Sequence, residues 1–248
     1  MASRPALPAR TARTAALAAL LLAAGTACGG QDGAPTAEVA QQNPARDRIG
    51  TLSVRSADGP RACTASVVHS PRRNLLVTAA HCVQNHRIGL LDGLVFTPGY
   101  RNGSTPYGTW PVQVITVDPR WAADDDPEYD VAFVTVGPVD GQQVEDAVGG
   151  NPIGTGQGFG LSVSVTGYPN GSDEPITCAA RTGSQSATQE RFDCDGYTDG
   201  TSGSPWVTAS GAVVGVIGGY QEGGDSPGTS YSITFDERVS ELYRRATT

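Results

Sequence analysis

Residues 74–82 read NLLVTAAHC. Three large aliphatic residues give way to a threonine and two alanines, then to a histidine and a cysteine. An apolar burst this short suits a strand better than a helix, which needs ten or more residues. The small residues let the backbone pass tightly through a buried strand end, and Cys82 is placed to tie that turn to another strand. In isolation, His81 reads as structural more readily than as catalytic.

Bursts of the same kind recur outward from this one. They fall at 50–55, 63–68, 89–96, 112–117 and 131–136, and again at 162–167, 176–181, 205–208, 212–217 and 229–234. Turn-makers such as Asp58-Gly59-Pro60, Pro98-Gly99 and Asn102-Gly103 separate them. The 248 residues include 32 Gly and 17 Pro, which favours short strands and tight turns over long helices. Strands without alternating helices predict an all-β antiparallel sandwich or barrel. A helix is expected near 236–246. Asp236 caps it, Phe235, Val239, Leu242 and Tyr243 recur at helical spacing, and Arg244 and Arg245 fall in its last turn. Residues 138–160, low in hydrophobicity and rich in Gly, read as the connection between two strand clusters.

The first 27 residues carry three Arg, no acid, an apolar run at 14–24 and a small-residue exit. That is the pattern of a secretory signal, and the run is shorter than the roughly 20 residues a membrane-spanning helix needs. Past residue 27 the chain holds 14 Arg against 25 acids, a net charge near −11. So acidic a chain is a poor ligand for nucleic acid or anionic lipid. Cys28 directly follows the signal and is a candidate for lipidation, which would anchor an exported bacterial chain to the cell membrane. The alternative is a free thiol on a fully secreted chain. Residues 28–47 are small, polar and Pro-containing, and read as a flexible linker. The other four cysteines allow three pairings. Nearest-neighbour pairing, Cys63–Cys82 and Cys178–Cys194, closes two short loops. The spacing lacks the close pairs of zinc sites, and an exported setting favours disulfides. No metal is expected.

His69 and His86 sit in polar loops and read as solvent-facing; Asp124, Asp125, Asp126 and Glu128 read as solvated acids. Asp130 differs because it opens an apolar strand, where a carboxylate needs hydrogen-bond donors. An imidazole N–H would serve. At 195–206 the chain reads DGYTDGTSGSPW, with Ser202 between two glycines. Alone, that stretch is a Gly/Ser loop as readily as the seat of a nucleophile.

Taken together, TAAHC around His81, YDVAFV around Asp130 and GTSGSP around Ser202 resemble the three signature sites of the chymotrypsin-like serine peptidases, in that family's order. Cys82 and its upstream partner match as well. The resemblance spans about residues 48–248. Gly167-Tyr168-Pro169 and the ending of the serine motif look most similar to the bacterial branch that includes glutamyl endopeptidases. It implies two packed six-stranded antiparallel barrels, about 49–137 and 155–235, with the site between them. It further implies His81, Asp130 and Ser202 as a catalytic triad, with the backbone N–H groups of Gly200 and Ser202 as the oxyanion hole. The expectation is a secreted or surface-anchored serine endopeptidase, monomeric, without cofactor and acting on polypeptides; a catalytically silent binding module on the same fold is the alternative. Two departures stand out. Animal members carry an acid just before the serine that pairs with a freed amino-terminus, whereas Thr201 stands here. Arg48-Ile49-Gly50 looks like an activation site whose partner is missing, so an oxyanion loop formed without an N-terminal ion pair is expected. Gly196 occupies the position that floors the pocket with Asp in trypsin-like members, and 212–222 lacks the histidine of glutamate-specific ones. Gly196, Asp199, Gly218, Gly219 and Tyr220 are the candidate substrate-binding residues.

Overall fold

Short strands, several of them buried along nearly their whole length, build two barrels. The computed structural model describes residues 1–2, 33–87 and 89–248; nearly all of the expected signal, and Cys28, lie outside them. A two-residue strand β1 (Glu38–Val39) precedes β2 (Ile49–Val54), β3 (Arg61–Val68) and β4 (Leu75–Thr78). A small ribbon, β5 (Gln84–Asn85) and β6 (Gly89–Leu90), leads to β7 (Leu94–Pro98), β8 (Trp110–Val117) and β9 (Ala132–Val136). Strands β2-β3-β4-β9-β8-β7 form a closed antiparallel barrel. The burst at 74–82 explains itself here: β4 is buried on both faces. Leu76 packs inside the barrel with Leu52, Val67 and Phe96, while Leu75 and Val77 face the seam with Val216, Ile233 and Phe235.

The second sheet runs β14-β13-β10-β11-β12-β15, with β10 (Ser162–Gly167), β11 (Ile176–Ser184), β12 (Gln189–Asp193), β13 (Pro205–Thr208), β14 (Val213–Val216) and β15 (Thr229–Ile233). Its ends meet without a regular ladder: Val216 N–H donates to Ser232 Oγ at 3.0 Å and Gly218 N–H to Tyr231 O at 2.9 Å. Val163, Val165, Phe192, Trp206 and Val214 fill its interior. The expected helix is present as α3 (Glu237–Thr247), with Asp236 accepting from Arg238 N–H at 2.8 Å. Short helices α1 (Pro119–Asp124) and α2 (Val144–Val148) fall in stretches that read as loop and connection. No helix among the described residues is long and apolar enough to cross a membrane. Both nearest-neighbour disulfides are formed, Cys63–Cys82 and Cys178–Cys194.

Three expectations are corrected. Strand β12 has no apolar burst to announce it, because Phe192 is its sole large apolar residue; Gln189 and Glu190 are buried polar groups. Three of the four acids before Asp130 are bonded rather than merely solvated, while Asp124 is exposed as expected. Asp125 accepts from His86 N–H at 2.9 Å, Asp126 caps the 3-10 turn at Pro127–Tyr129, and Glu128 accepts from Gln189 Nε2 at 3.1 Å. The described part of the expected linker is also docked. Beyond Gly33, β1 pairs with β11, Ala40 is fully buried, and buried Asp47 accepts from the Tyr107 hydroxyl at 2.7 Å.

Candidate active site

Asp130 lies between the 3-10 turn and β9 with no solvent exposure. Such a carboxylate must find donors, and it has three. Its Oδ1 accepts from the His81 backbone N–H at 2.9 Å; its Oδ2 bonds His81 Nδ1 at 2.7 Å and accepts from Gly219 N–H at 2.7 Å. The ring is thus fixed by the first barrel and by the strand end of the second. Burial alone would lower the His81 pKa. The Asp130 charge and hydrogen bond, with Glu222 adding a further negative charge, outweigh it and leave the imidazole raised above its ordinary value.

Thr64, on β3, joins the serine loop to the first barrel with every polar atom it has. Its N–H donates to Ser202 O at 2.9 Å, its hydroxyl donates to Gly200 O at 2.9 Å and accepts from Tyr168 N–H at 2.9 Å, and its carbonyl accepts from the Thr78 hydroxyl at 2.8 Å. Gly203 passes so close to this strand that an added Cβ would collide with Thr64 O and Thr78 Oγ1. Gly200 adopts φ +92°, where a side chain would strike Asn170 and Tyr168 O. The turn aims its amides unevenly. Thr201 N–H donates to Thr198 O at 3.0 Å and Gly203 N–H to Ile217 O at 2.7 Å, whereas the N–H groups of Gly200 and Ser202 meet no acceptor among the described residues.

His81, Gly200 and Ser202 line one cleft of about 940 Å³. His81 Nε2 lies 3.7 Å from Cys82 Sγ, and no hydrogen bond joins it to Ser202 among the described residues. Of the substrate-binding candidates, Asp199 lines the cleft. The others are corrected. Gly196 faces away: a Cβ there would sit 3.3 Å from Ala37 Cβ. The N–H groups of Gly218 and Gly219 are committed to Tyr231 O and Asp130, so neither N–H is free to donate to an extended peptide. Tyr220 donates its N–H to Gln189 Oε1 and stacks edge-on against Tyr231. The opposite wall is instead built by Glu222, Asp225 and Ser226, with Asn170 near the serine loop. The only signal for that wall in the sequence is the turn-forming Gly223-Gly224-Asp225.

Residues 63–216 match the family model of the trypsin-like peptidase domain. The chain belongs to that family. Among solved structures it is similar to the protease Anisep from Arthrobacter nicotinovorans (25% identity, 84% of this chain and 98% of that one, TM-score 0.72). It is likewise similar to a thermostable serine protease, AL20, from an extremophilic microorganism (25% identity, 83% and 99%, TM-score 0.73). A Glu endopeptidase shares the fold at 18% identity over 87% of this chain and 98% of that one (TM-score 0.71). A curated relative, an extracellular metalloprotease of Bacillus subtilis (strain 168), is 31% identical over 107 residues, 43% of this chain. The aligned part spans 33% of that relative's length. In the present chain the His/Cys/Asp/Glu group close enough to share an ion is Cys63, His81 and Cys82, among the described residues. It does not suit a metal, because both sulfurs are joined in a disulfide and a thiolate is what ligates.

Proposed function

We propose that the chain is an exported serine endopeptidase that hydrolyses peptide bonds in polypeptides, with Ser202 as nucleophile, His81 as general base and Asp130 as the residue that orients the imidazole and balances its charge. One observation carries the reading: a buried carboxylate holds His81 Nδ1 at 2.7 Å on the same cleft where Ser202 stands beside two unengaged amides. With the proton of Nδ1 held by Asp130, Nε2 is the free base. Ser202 Oγ attacks the scissile carbonyl carbon while its proton passes to Nε2. The C–N bond then breaks as Nε2 returns the proton to the leaving amine, and water repeats the sequence on the acyl ester. The Gly200 and Ser202 N–H groups face the developing oxyanion; losing one such donor typically costs roughly 3 kcal/mol. Catalytic hydrogen bonds are often long in free enzymes and tighten once substrate is bound, and the Ser202–His81 bond closes in the same way when substrate enters. The two disulfides suit an oxidising, extracellular setting, where the chain acts as a monomer, either free or held by lipid on Cys28.

The open Ser202–His81 contact favours one other reading, a silent binding module on the same fold. A fluorophosphonate label combined with a diverse peptide library separates the two. Labelled wild type, unlabelled Ser202→Ala, and a turnover loss on the order of 10⁴–10⁶ for Ser202→Ala or His81→Ala are expected. Folded wild type that neither labels nor cleaves overturns the peptidase reading in favour of the module.

A further inference from the structure

The wall of the cleft that leads into the serine turn is held from outside by a segment of chain far upstream. Asp195 N–H donates to Pro35 O at 2.8 Å and Ala37 N–H to Asp195 O at 2.7 Å, making a parallel bridge between Thr36 and Asp195. Strand β1 continues antiparallel on β11, Glu38 opposite Thr177 and Val39 opposite Ile176. Ala40 N–H then closes on Pro175 O at 2.8 Å, and the Arg101 guanidinium bonds Ala40 O. On its other side the same wall is pinned by Gly196 and Tyr197 N–H to Pro227 O, at 2.9 and 3.2 Å, and by the Cys178–Cys194 disulfide. Gly196 fits here because a side chain would press on Ala37.

The usual electrostatic latch has no parts here. Thr201 carries no charge and its hydroxyl donates to Thr198 O at 2.7 Å. Ile49 is a buried residue within continuous chain, its N–H donating to Arg46 O at 2.9 Å and its backbone paired in β2. We propose that residues 34–40 are a strap that takes over this task. Docked by backbone hydrogen bonds as an added strand, the strap holds residues 194–198, and through them the Gly200 and Ser202 amides, in the geometry that turnover requires. It is a positioning segment, and removing residues 34–40 slows the enzyme without abolishing its chemistry. The inference rests on the peptidase reading above.

The test keeps the chain whole while it folds. A recognition sequence for a site-specific protease is inserted between Gln41 and Gln42, both exposed, and cut after purification; the strap is then removed by gel filtration. Turnover of the uncut chain tests the peptidase reading, and the ratio of cut to uncut tests the strap. Loss of the strap is expected to lower kcat/KM on the order of 10²-fold, the scale for an ångström-sized misplacement of reacting groups. A synthetic peptide of residues 33–41 restores it, and a scrambled peptide does not. Where the cut strap stays bound, Ala37→Pro in the full chain, which deletes the donor to Asp195 O, is expected to raise KM and slow labelling of Ser202. Full turnover without the strap, no rescue by the peptide, or an Ala37→Pro variant with wild-type kinetics overturns the proposal.

Discussion

Asp130 and Glu222 both act on one imidazole through their charge, and the first does so from a fully buried position. Under the proposed mechanism His81 accepts a proton only when neutral, so its raised pKa places the acid limb of kcat/KM above pH 6.5, its ordinary value. Glu222 supplies part of that rise through its charge alone. Glu222→Gln is therefore expected to move the acid limb to lower pH with little change in the plateau. A pH–rate profile of the two proteins checks it, and an unmoved limb would refute the coupling. At this scale the sequence is legible wherever chemistry restricts the neighbours. A carboxylate opening an apolar strand, or a serine between glycines, constrains what surrounds it. Gly196 is not legible in the same way, because position along the chain does not reveal that Ala37, from a distant segment, occupies the space beside it.

Strand β3 carries one of the links between barrels, since Thr64 by itself reaches Ser202, Gly200 and Tyr168. Thr64→Val keeps the shape and deletes the hydroxyl, leaving a buried N–H and a buried C=O unpaired. A loss of about 1–3 kcal/mol is expected, read by urea unfolding, with kcat falling more than KM rises because the Gly200 carbonyl loses its anchor. The strands legible in the sequence are those with apolar bursts; β12 is not, since its burial is polar. Its Glu190 is nearly inaccessible, and burial pushes the carboxyl up to about 7, against a hydrogen bond with Thr182 that lowers it. The folded chain therefore keeps this proton after the unfolded chain, near 4.5, has released it. Stability from this group is complete below pH 4.5 and is lost as pH rises toward 7. Glu190→Gln removes the decline, so the Tm advantage of the variant should grow between pH 4.5 and about 8; an advantage constant with pH would count against the assignment.

Over the whole molecule, 25 acids against 17 Arg leave a negative field that reaches into the cleft. Among the described residues Asp199, Glu222 and Asp225 line it and no Arg does; Asp225 accepts from the Gln221 side-chain amide. The general architecture can be inferred from strand spacing, but this wall cannot, because it is assembled from loops separated by the length of a barrel strand pair and more. An acidic cleft attracts cationic peptides and repels acidic ones, so a glutamate preference of the kind suggested by the bacterial branch is not expected here. Peptides with Arg or Lys flanking the scissile bond should be turned over faster than their Glu counterparts, mainly through KM. Exposed charges of this sort are worth about 0.2–1 kcal/mol each, so Glu222→Gln with Asp225→Asn should narrow the gap several-fold at low salt. Screening shortens the field to about 10 Å at 0.1 M salt, so the wild-type preference should shrink as salt is raised while the double variant responds little. Kinetics on matched Arg and Glu peptides across a salt series decide it: a preference for Glu, or one indifferent to salt, would show that local fit rather than charge selects the substrate.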